Sequence, residues 1–445
     1  MGEHIHRKKH LTSFQFIILG FMAVIFIGTF LLMLPIATKS GQVTPLNEAI
    51  FTSTSAVCVT GLVVQDTATY WSLFGQIIIL LLIQIGGMGV ITVAASFALL
   101  SGRKITLMQR STMQEAIAAP KVGGIVRLTG FVIKITFIIE FLGALIMLPV
   151  FVKEFGLRGI WMAIFHSISA FCNAGFDIMG TEQSPFVSLA SYVANPVISI
   201  TIVLLIIVGG IGFLTWDDMR TNKYHIKQYR MQSKVILLTT CILIVIPTIY
   251  LYFAEFQTLP KNQRLLASIF QAVTPRTAGF NTTDLTLLSG VGRMLLIILM
   301  LIGGSPGSTA GGMKTTTIAV LFANAMSVFR RKEDAHFFGR RIEQNTVKNA
   351  STILMMYLTM FLAGAFIISI IEKLPIGICL FETASAIGTV GLTLGITTQL
   401  GVVSQFVLIV LMFFGRVGGL TLIFAALSGG GRKLSKLPQE KITVG

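Results

Sequence analysis

The chain has 445 residues, of which 54% are hydrophobic and only 12% are charged. About a quarter of the residues of an ordinary soluble domain are charged, so this composition excludes that class of protein. The formal net charge of +16 would suit a nucleic-acid-binding protein, and the positions of the basic residues decide that question.

Long apolar segments recur from end to end and predict a multi-pass membrane protein. Most approach the roughly 20 residues that an α-helix needs to cross the hydrocarbon core of a bilayer. The first segment follows a basic N-terminus, as in a signal peptide, but it is too long and lacks a convincing cleavage site, so we interpret it as a retained span. The predicted spans are residues 14–34, 72–100, 125–152, 191–214, 235–253, 294–302, 353–371 and 402–427.

The basic residues follow this topology. If the N-terminus is cytoplasmic, 24 of the 34 Lys and Arg residues fall in cytoplasmic segments, seven fall outside and three lie at membrane depth. This is the positive-inside pattern of membrane proteins. It predicts that both termini are cytoplasmic and that nucleic acid is not the partner.

Four stretches share a short amphipathic run followed by a small-residue turn with a glycine. Their glycines are spaced by 114, 104 and 112 residues, which divides the chain into near-equal quarters. We therefore predict four repeats, at residues 1–104, 105–225, 226–335 and 336–445. The stretches are IFTSTSAVCVTGL (50–62), IFHSISAFCNAGF (164–176), SIFQAVTPRTAGF (268–280) and LFETASAIGTVGL (380–392).

A second glycine motif follows each turn, inside the next apolar run. The short amphipathic helices before the turns are too short to span, so each must enter and leave the membrane on one side. We predict an all-α integral membrane protein with four tandem helix, pore helix, filter loop and helix repeats around one central ion pore, potassium-channel-like. The second motifs are IGGMG (85–89), VGGIG (208–212), IGGSPG (302–307) and FGRVGGL (414–420).

The four glycine turns are the candidate ion-selectivity filter. Irregular backbone at membrane depth is tolerated only where it is buried in protein or lines a water-filled cavity. Four turns around one axis would offer carbonyl oxygens to a cation, and the fourth contains the Thr-Val-Gly of potassium-channel filters. Because the turns differ, some sodium permeation is a hypothesis. The predicted filter residues, with K+ at their backbone carbonyls, are Cys58, Val59, Thr60, Gly61, Cys172, Asn173, Ala174, Gly175, Arg276, Thr277, Ala278, Gly279, Gly388, Thr389, Val390 and Gly391.

Packing is the alternative explanation for these glycines. Small residues at helix interfaces let membrane helices approach closely. That interpretation leaves the four re-entrant segments unexplained, so we favour the filter.

The second span of the third repeat is interrupted by a glycine-rich stretch that cannot sustain a helix. We predict a flexible intramembrane loop just inside the filter, in a position suited to a gate. The stretch approaches a phosphate-loop pattern, but Met313 intrudes and no βαβ unit surrounds it, so we expect no nucleotide here. The predicted gate residues are Gly303, Gly304, Ser305, Pro306, Gly307, Ser308, Thr309, Ala310, Gly311, Gly312, Lys314 and Arg416.

Arg416 lies inside the last span, at a position where the other repeats have glycine. A charge at this depth usually faces a cavity or a partner. Two interpretations stay open. Either Arg416 forms an electrostatic barrier in the pore together with the loop, or it is a structural residue that pairs with loop carbonyls.

Other polar residues near the turns have open roles. Arg276 is expected to brace the filter from behind, and His166 and Glu382 to brace pore helices. Asp66, Asp177 and Asp284 follow three of the turns and either draw cations to the outer mouth or are simply solvated. The four cysteines have no spacing typical of zinc or disulfides.

On these filter glycines, the glycine-rich loop and Arg416, the chain resembles the Trk/Ktr/HKT superfamily of potassium transporters, and within it the KtrB-type membrane subunits of bacterial Ktr potassium uptake systems. The resemblance covers nearly the whole chain. No repeat has serine at its filter glycine, a change that is associated with sodium preference in the plant relatives.

The resemblance implies potassium uptake by a homodimer with one pore in each subunit. It also implies a cytoplasmic KtrA-like ring that binds ATP, ADP or NAD(H) and regulates the pore, with sodium as a possible activator. The chain itself is expected to need no cofactor. Basic segments such as 217–234 and 329–348, and the tail 428–445, are candidate contacts for the ring or the second subunit.

Two other classes of membrane protein fit the sequence less well. A secondary transporter would show inverted repeats, whereas these four units run in one orientation. A membrane enzyme would need clustered acids, bases or metal ligands, and the membrane-depth residues are mostly apolar, small or hydroxylic. We therefore predict a bacterial plasma-membrane protein that is not an enzyme.

Overall fold

A computed structural model describes residues 12–100, 105–117 and 123–419 and the isolated positions 421, 422, 425, 438 and 440. The basic segment 1–11 and nearly all of the tail 428–445 lie outside the described residues. The helices are α1 (Ser13–Met33), α2 (Leu46–Cys58), α3 (Leu73–Met88), α4 (Val90–Leu100), α5 (Leu107–Ile117), α6 (Ile125–Phe155), α7 (Arg158–Phe171), α8 (Pro196–Ile211), α9 (Phe213–Asn222), α10 (Met231–Tyr250), α11 (Lys261–Val273), α12 (Gly290–Leu301), α13 (Thr315–Phe329), α14 (Gln344–Glu372), α15 (Ile376–Gly388) and α16 (Val402–Val417).

Four helices of the described chain are long and apolar enough to span a membrane unaided: α1, α6, α14, and α10 with the π-helical turn Leu251–Glu255 that extends it. They are the first helices of the four predicted repeats. Their outer faces carry large exposed apolar side chains, such as Phe30 (66% exposed) and Ile370 (76% exposed). Such a surface fits lipid as its solvent.

The second span of each repeat is divided, as the glycine motifs predict. Helices α3, α8 and α16 each end at a glycine with positive φ: Gly89 (86°), Gly212 (100°) and Gly418 (89°). Side chains with a Cβ resist this conformation, so glycine is the residue that can break the helix here. At the second break, α9 turns away from α8 by 94°.

Four short helices, α2, α7, α11 and α15, are the predicted pore helices. Three of them start directly after a proline, at Pro45, Pro260 and Pro375. Proline suits the start of a helix because its φ is fixed near the helical value and it has no N–H group that would stay unpaired there. Their C-terminal halves are buried, apart from the partly buried Ile168 and Ile269. The prediction of short, non-spanning helices is therefore confirmed.

Equivalent glycines pack the first helices of three repeats against the pore helices. A Cβ on Gly28 or Gly143 would lie 2.5 Å from the hydroxyl of Ser53 or Ser167, respectively, and one on Gly364 would meet Thr383. Those three pore-helix residues stand eight positions before the glycine of their turns. The repeats thus share packing as well as sequence, and the predicted all-α repeat fold is confirmed.

A small hairpin is the one β element of the described residues. Strands β1 (His336–Phe337) and β2 (Arg340–Arg341) pair antiparallel between α13 and α14. Beside the hairpin, Ala323, Ala335 and Ile342 form a small apolar cluster. The sequence analysis did not predict this hairpin, because a strand of two residues leaves no periodic pattern.

Candidate ion pathway and gate

The four turns adopt the same unusual backbone. The glycine of each turn has a positive φ, at Gly61 (91°), Gly175 (68°), Gly279 (81°) and Gly391 (93°). So does the residue two positions before each glycine, although it is never glycine: Val59 (57°), Asn173 (59°), Thr277 (73°) and Thr389 (51°). Non-glycine residues are rarely held in this region unless the surrounding structure imposes it, and such residues cluster at functional sites.

The turns meet in a closed ring. A Cβ on Gly61 would lie 2.5 Å from the carbonyl oxygen of Ala174 in the second turn, and one on Gly175 would lie 2.6 Å from that of Ala278 in the third. The same construction places a Cβ on Gly279 against the carbonyl of Val390, and a Cβ on Gly391 against that of Thr60. The order of contacts, first to second to third to fourth and back to first, closes a ring around one axis.

Hydroxyl groups of the pore helices fix each turn. Ser55 and Ser385 accept hydrogen bonds from the N–H groups of Gly61 (3.1 Å) and Gly391 (3.0 Å). In the second turn Ser169 instead donates to the carbonyl of Phe176 at 2.7 Å. In the third, Thr274 donates to the carbonyl of Phe280. These bonds occupy backbone groups that a tight turn would otherwise leave unpaired at membrane depth.

Arg276 lies behind the third turn and not among the carbonyls of the ring. Its side chain is 5% exposed and donates to the hydroxyl of Thr240 on α10 at 3.3 Å. Asn173 of the second turn contacts the hydroxyl of Thr277 at 3.1 Å. The position of Arg276 fits the predicted brace.

A cavity of about 260 Å³ lies on one side of the ring and is lined by all four turn glycines. Asp66, Asp177 and Asp284 also line it. Asp66 is buried and accepts bonds from the N–H groups of Ala68 and Thr69 and, across to the second repeat, from that of Phe186 at 2.8 Å. Asp66 therefore links two loops by hydrogen bonds. Asp284, in contrast, is exposed and forms hydrogen bonds only within its own turn.

Two polar residues of the pore helices act within the protein core. Glu382 accepts hydrogen bonds from the hydroxyls of Thr393 (2.7 Å) and Thr397 in the loop after the fourth turn. His166 stacks on Phe151 and contacts the carbonyl of Met162 at 2.7 Å. Both arrangements are those of bracing residues.

We call the first glycine of each second motif the second-span glycine. In three repeats it packs against the carbonyl four residues before the turn glycine: Gly86 on Val57, Gly209 on Phe171 and Gly415 on Ile387. Any Cβ at these positions would overlap the carbonyl. Close packing, which we rejected for the turn glycines, therefore explains these three.

The third repeat breaks that rule. Its second-span glycine, Gly303, lies against the carbonyl of Gly311 within the glycine-rich loop. The loop is held from two sides. The N–H groups of Ser305 and Thr309 donate to Gly210 and Gly209 at 3.0 and 3.2 Å.

On the other side, the N–H of Gly312 donates to the carbonyl of Gly415 at 3.1 Å. The loop thus bridges the second spans of the second and fourth repeats and lies against the start of the fourth turn, where a Cβ on Gly311 would meet Thr389. Its mobility stays a prediction.

Two cations hold the loop. The Lys314 ammonium donates to the carbonyls of Ala310 (2.8 Å) and Gly311 (3.1 Å). The Arg416 guanidinium donates to the loop carbonyl of Thr309 and to the carbonyls of Gly86 and, at 3.2 Å, Gly87 at the end of α3. Arg416 is therefore the link between the loop and the first repeat, which is the carbonyl pairing that the second interpretation expected.

One buried acid was missed by the sequence analysis. Glu140, in the middle of α6, is 4% exposed and accepts hydrogen bonds on both oxygens from the amide of Gln84. Cys172, next to the second turn, contacts both side chains. The signal was present, because an acid inside an apolar span is rare and functional by default, but Glu140 lies far from the turn motifs in the sequence.

Known proteins of similar sequence are cation transporters. The family model described as TrkH, cation transport protein, matches residues 3–430. The potassium/sodium uptake protein NtpJ of Enterococcus hirae is 38% identical, with 98% of each chain covered. The Ktr system potassium uptake protein B of Bacillus subtilis is also 38% identical, with 95% of each covered.

A solved structure has the same fold. The crystal structure of the potassium transporter TrkH from Vibrio parahaemolyticus superposes with a TM-score of 0.74 over 95% of this chain and 86% of that one, at 20% identity. The resemblance stated from the motifs is confirmed, and with it the expectation of a membrane transporter of cations and not an enzyme. The chain belongs to the TrkH family of cation transport proteins.

Proposed function

We propose that this chain takes up potassium across the plasma membrane of a bacterium, through a pore in which the four turns are the selectivity filter. The observation that carries the proposal is the closed ring of turn glycines and neighbouring carbonyls. Carbonyl oxygens can replace the hydration shell of a monovalent cation. The names of the two 38% identical relatives, one for potassium and one for potassium or sodium, support the choice of ion.

Within this pore the loop from Gly303 to Gly312 is the proposed gate. It lies against the start of the fourth turn and is held by Lys314 and Arg416. Hydrogen bonds that involve a charged group contribute about 1.5 to 3 kcal/mol each, so the two cations favour the observed position of the loop, which we take as the closed one. Opening then requires that these carbonyls be released.

A regulatory partner is the second part of the proposal. The relative from Bacillus subtilis is named as protein B of a system, which supports a further component for this chain. We propose a homodimer docked on a cytoplasmic nucleotide-binding ring that senses ATP, ADP or NAD(H), with sodium as an activator. Exposed basic residues at the hairpin, among them Arg340 and Arg341, offer a surface of suitable charge.

The test is rubidium uptake and growth at low potassium in bacteria that lack their own potassium uptake systems. The intact chain, expressed with a nucleotide-binding partner, is expected to restore both. Gly391→Ser is expected to weaken the preference for potassium over sodium, because φ at Gly391 is 93° and a side chain there would meet the carbonyl of Thr60.

Gly290→Ala is the matched control, since a Cβ at that position meets no atom within 4 Å. If the intact chain carries neither rubidium nor potassium with its partner present, the ion assignment is wrong and a transporter of another solute becomes the better interpretation.

A further inference from the structure

Glu140 stands where the fold itself calls for an apolar residue. Ser167 donates to the backbone carbonyl of Glu140 at 2.6 Å. The equivalent Ser53 of the first repeat donates to the backbone carbonyl of Ile25 at 2.7 Å. The two positions also lie three residues before the equivalent glycines Gly28 and Gly143. Ile25 is therefore the structural counterpart of Glu140, and it is buried.

The partner of Glu140 departs from the repeat pattern in the same way. Gln84 lies two residues before the second-span glycine Gly86, and the corresponding residues of the other repeats are Ile207, Leu301 and Phe413. An acid and an amide have thus replaced two apolar residues at one contact between the first and second repeats. Packing alone gives no reason for this, because replacing both partners of a hydrogen bond by apolar groups of similar shape can be neutral or stabilising.

The pair lies deep in the membrane. Glu140 is fifteen residues from either end of α6, roughly 22 Å along the helix axis. The amide nitrogen of Gln84 lies 3.0 and 3.1 Å from the two carboxylate oxygens. The ion pairs of the described residues all lie elsewhere.

Both members connect directly to the ion pathway. Cys172, whose sulfur lies 3.7 Å from the Gln84 oxygen and 3.8 Å from a Glu140 oxygen, immediately precedes Asn173 of the second turn. Gln84 belongs to the last turn of α3, whose carbonyls at Gly86 and Gly87 receive Arg416. One carboxylate therefore fixes a filter turn on one side and the helix end that holds the gate cation on the other.

We propose that Glu140, with Gln84, is a specificity-determining positioning pair. It holds the second turn, through Cys172, at the distance from the axis that favours potassium over sodium. The inference rests on the proposed function, since it assigns a role in the selectivity of that pore. Neither residue touches the ion.

The experiment reconstitutes the purified chain together with its nucleotide-binding partner in proteoliposomes. It measures the potassium to sodium permeability ratio from the reversal of cation flux. Glu140→Ile with Gln84→Ile installs the residue types of the other repeats, so the double variant is expected to fold. We expect it to conduct rubidium but to lose about tenfold in selectivity, which corresponds to about 1.4 kcal/mol.

The exchange variant Glu140→Gln with Gln84→Glu keeps an acid and an amide in contact and is expected to retain selectivity within about threefold of the parent, taking about 0.6 kcal/mol as the tolerance. The single Gln84→Glu places two acids together and is expected to lose selectivity. Glu154→Gln, on the same helix but bonded to Tyr192, is the control that should change nothing.

The outcomes separate the two claims. Full selectivity in the folded Ile and Ile variant overturns the positioning role while leaving the pore intact. The positioning role is also overturned if the exchange variant loses as much selectivity as the double Ile variant, since the acid and amide contact that it keeps would then have no effect. Absence of any cation flux in the parent protein with its nucleotide-binding partner present instead contradicts the proposed function itself.

Discussion

The four turns repeat one backbone conformation, whereas the second-span glycines repeat theirs in only three of the four repeats. Every turn has a positive φ at its glycine and two residues before it, and each glycine faces the carbonyl of the next turn. In the second spans, Gly86, Gly209 and Gly415 pack on pore-helix carbonyls, but Gly303 lies in a loop.

The difference follows from what each region must do. A ring that surrounds an ion needs an equivalent contribution from each repeat, so any departure distorts every neighbour. A single loop can block a pore, so one repeat can depart while three keep the packed helix. The comparison therefore predicts that substitutions in the ring impair transport or its selectivity, whereas those in the second spans divide into effects on stability and effects on gating.

The largest effect is expected for Gly279→Ala in the ring. The residue has a φ of 81°, and a Cβ would meet the carbonyl of Val390. A strained backbone of this kind costs about 1 to 3 kcal/mol before any overlap is counted. Rubidium uptake should fall by about tenfold or more, since about 1.4 kcal/mol of strain already corresponds to a factor of ten. Gly290→Ala should leave uptake unchanged. Normal uptake by Gly279→Ala would contradict the ring.

Arg416→Gln should have the next largest effect, in the opposite direction. It removes the charged donor that links Thr309 of the loop to Gly86 and Gly87. The variant should lose about 1.5 kcal/mol of the free energy that favours the closed loop. Uptake without the regulatory partner should therefore rise by about tenfold. Arg293→Gln is the control, because Arg293 also donates to carbonyls but lies outside the pathway. Unchanged partner-free uptake would limit Arg416 to a structural role.

Gly86→Ala and Gly304→Ala sharpen the division within the second spans. A Cβ on Gly86 would overlap the carbonyl of Val57, outside the loop, while one on Gly304 would meet Ala310 inside the loop. The first should lower the free energy of unfolding in detergent by about 1 to 3 kcal/mol, the usual effect of overpacking. The second should alter partner-free uptake with a smaller change in stability. The reverse pattern would contradict the distinction.

The smallest effect is expected at the cavity lined by the turn glycines. Asp284 is exposed and bonds only within its turn, and a charge in a high-dielectric environment contributes about 1 kcal/mol even at 4 Å. Asp284→Asn should lower the uptake rate at limiting potassium by about twofold, and added salt should remove the difference. Asp66→Asn should instead reduce the yield of folded protein, because Asp66 joins two loops.

Much of this organisation is readable in the residues. The four turn glycines, the re-entrant helices and the break in the third repeat follow from spacing, helix length and the inability of glycine and proline to continue a helix. The positive φ of Val59 and Thr389 could not be predicted, since β-branched residues disfavour that region and only the surrounding ring imposes it.

The long-range contacts were equally hidden. Arg416 reaches Gly86 across 330 positions of sequence, and nothing local to either residue indicates that contact. Glu140 was visible as an acid in an apolar run, but its counterpart Ile25 could be identified only from the shared bonds of Ser53 and Ser167.

The most direct test of the ring is to locate the ion. Crystals of the protein grown in rubidium would reveal bound cations by anomalous scattering. We expect a rubidium peak on the axis of the ring, in contact with the carbonyl oxygens of Thr60, Ala174, Ala278 and Val390, and we expect Gly279→Ala to lose it. Rubidium bound elsewhere along the membrane region, with none at the ring, would contradict the assignment of these turns as the filter.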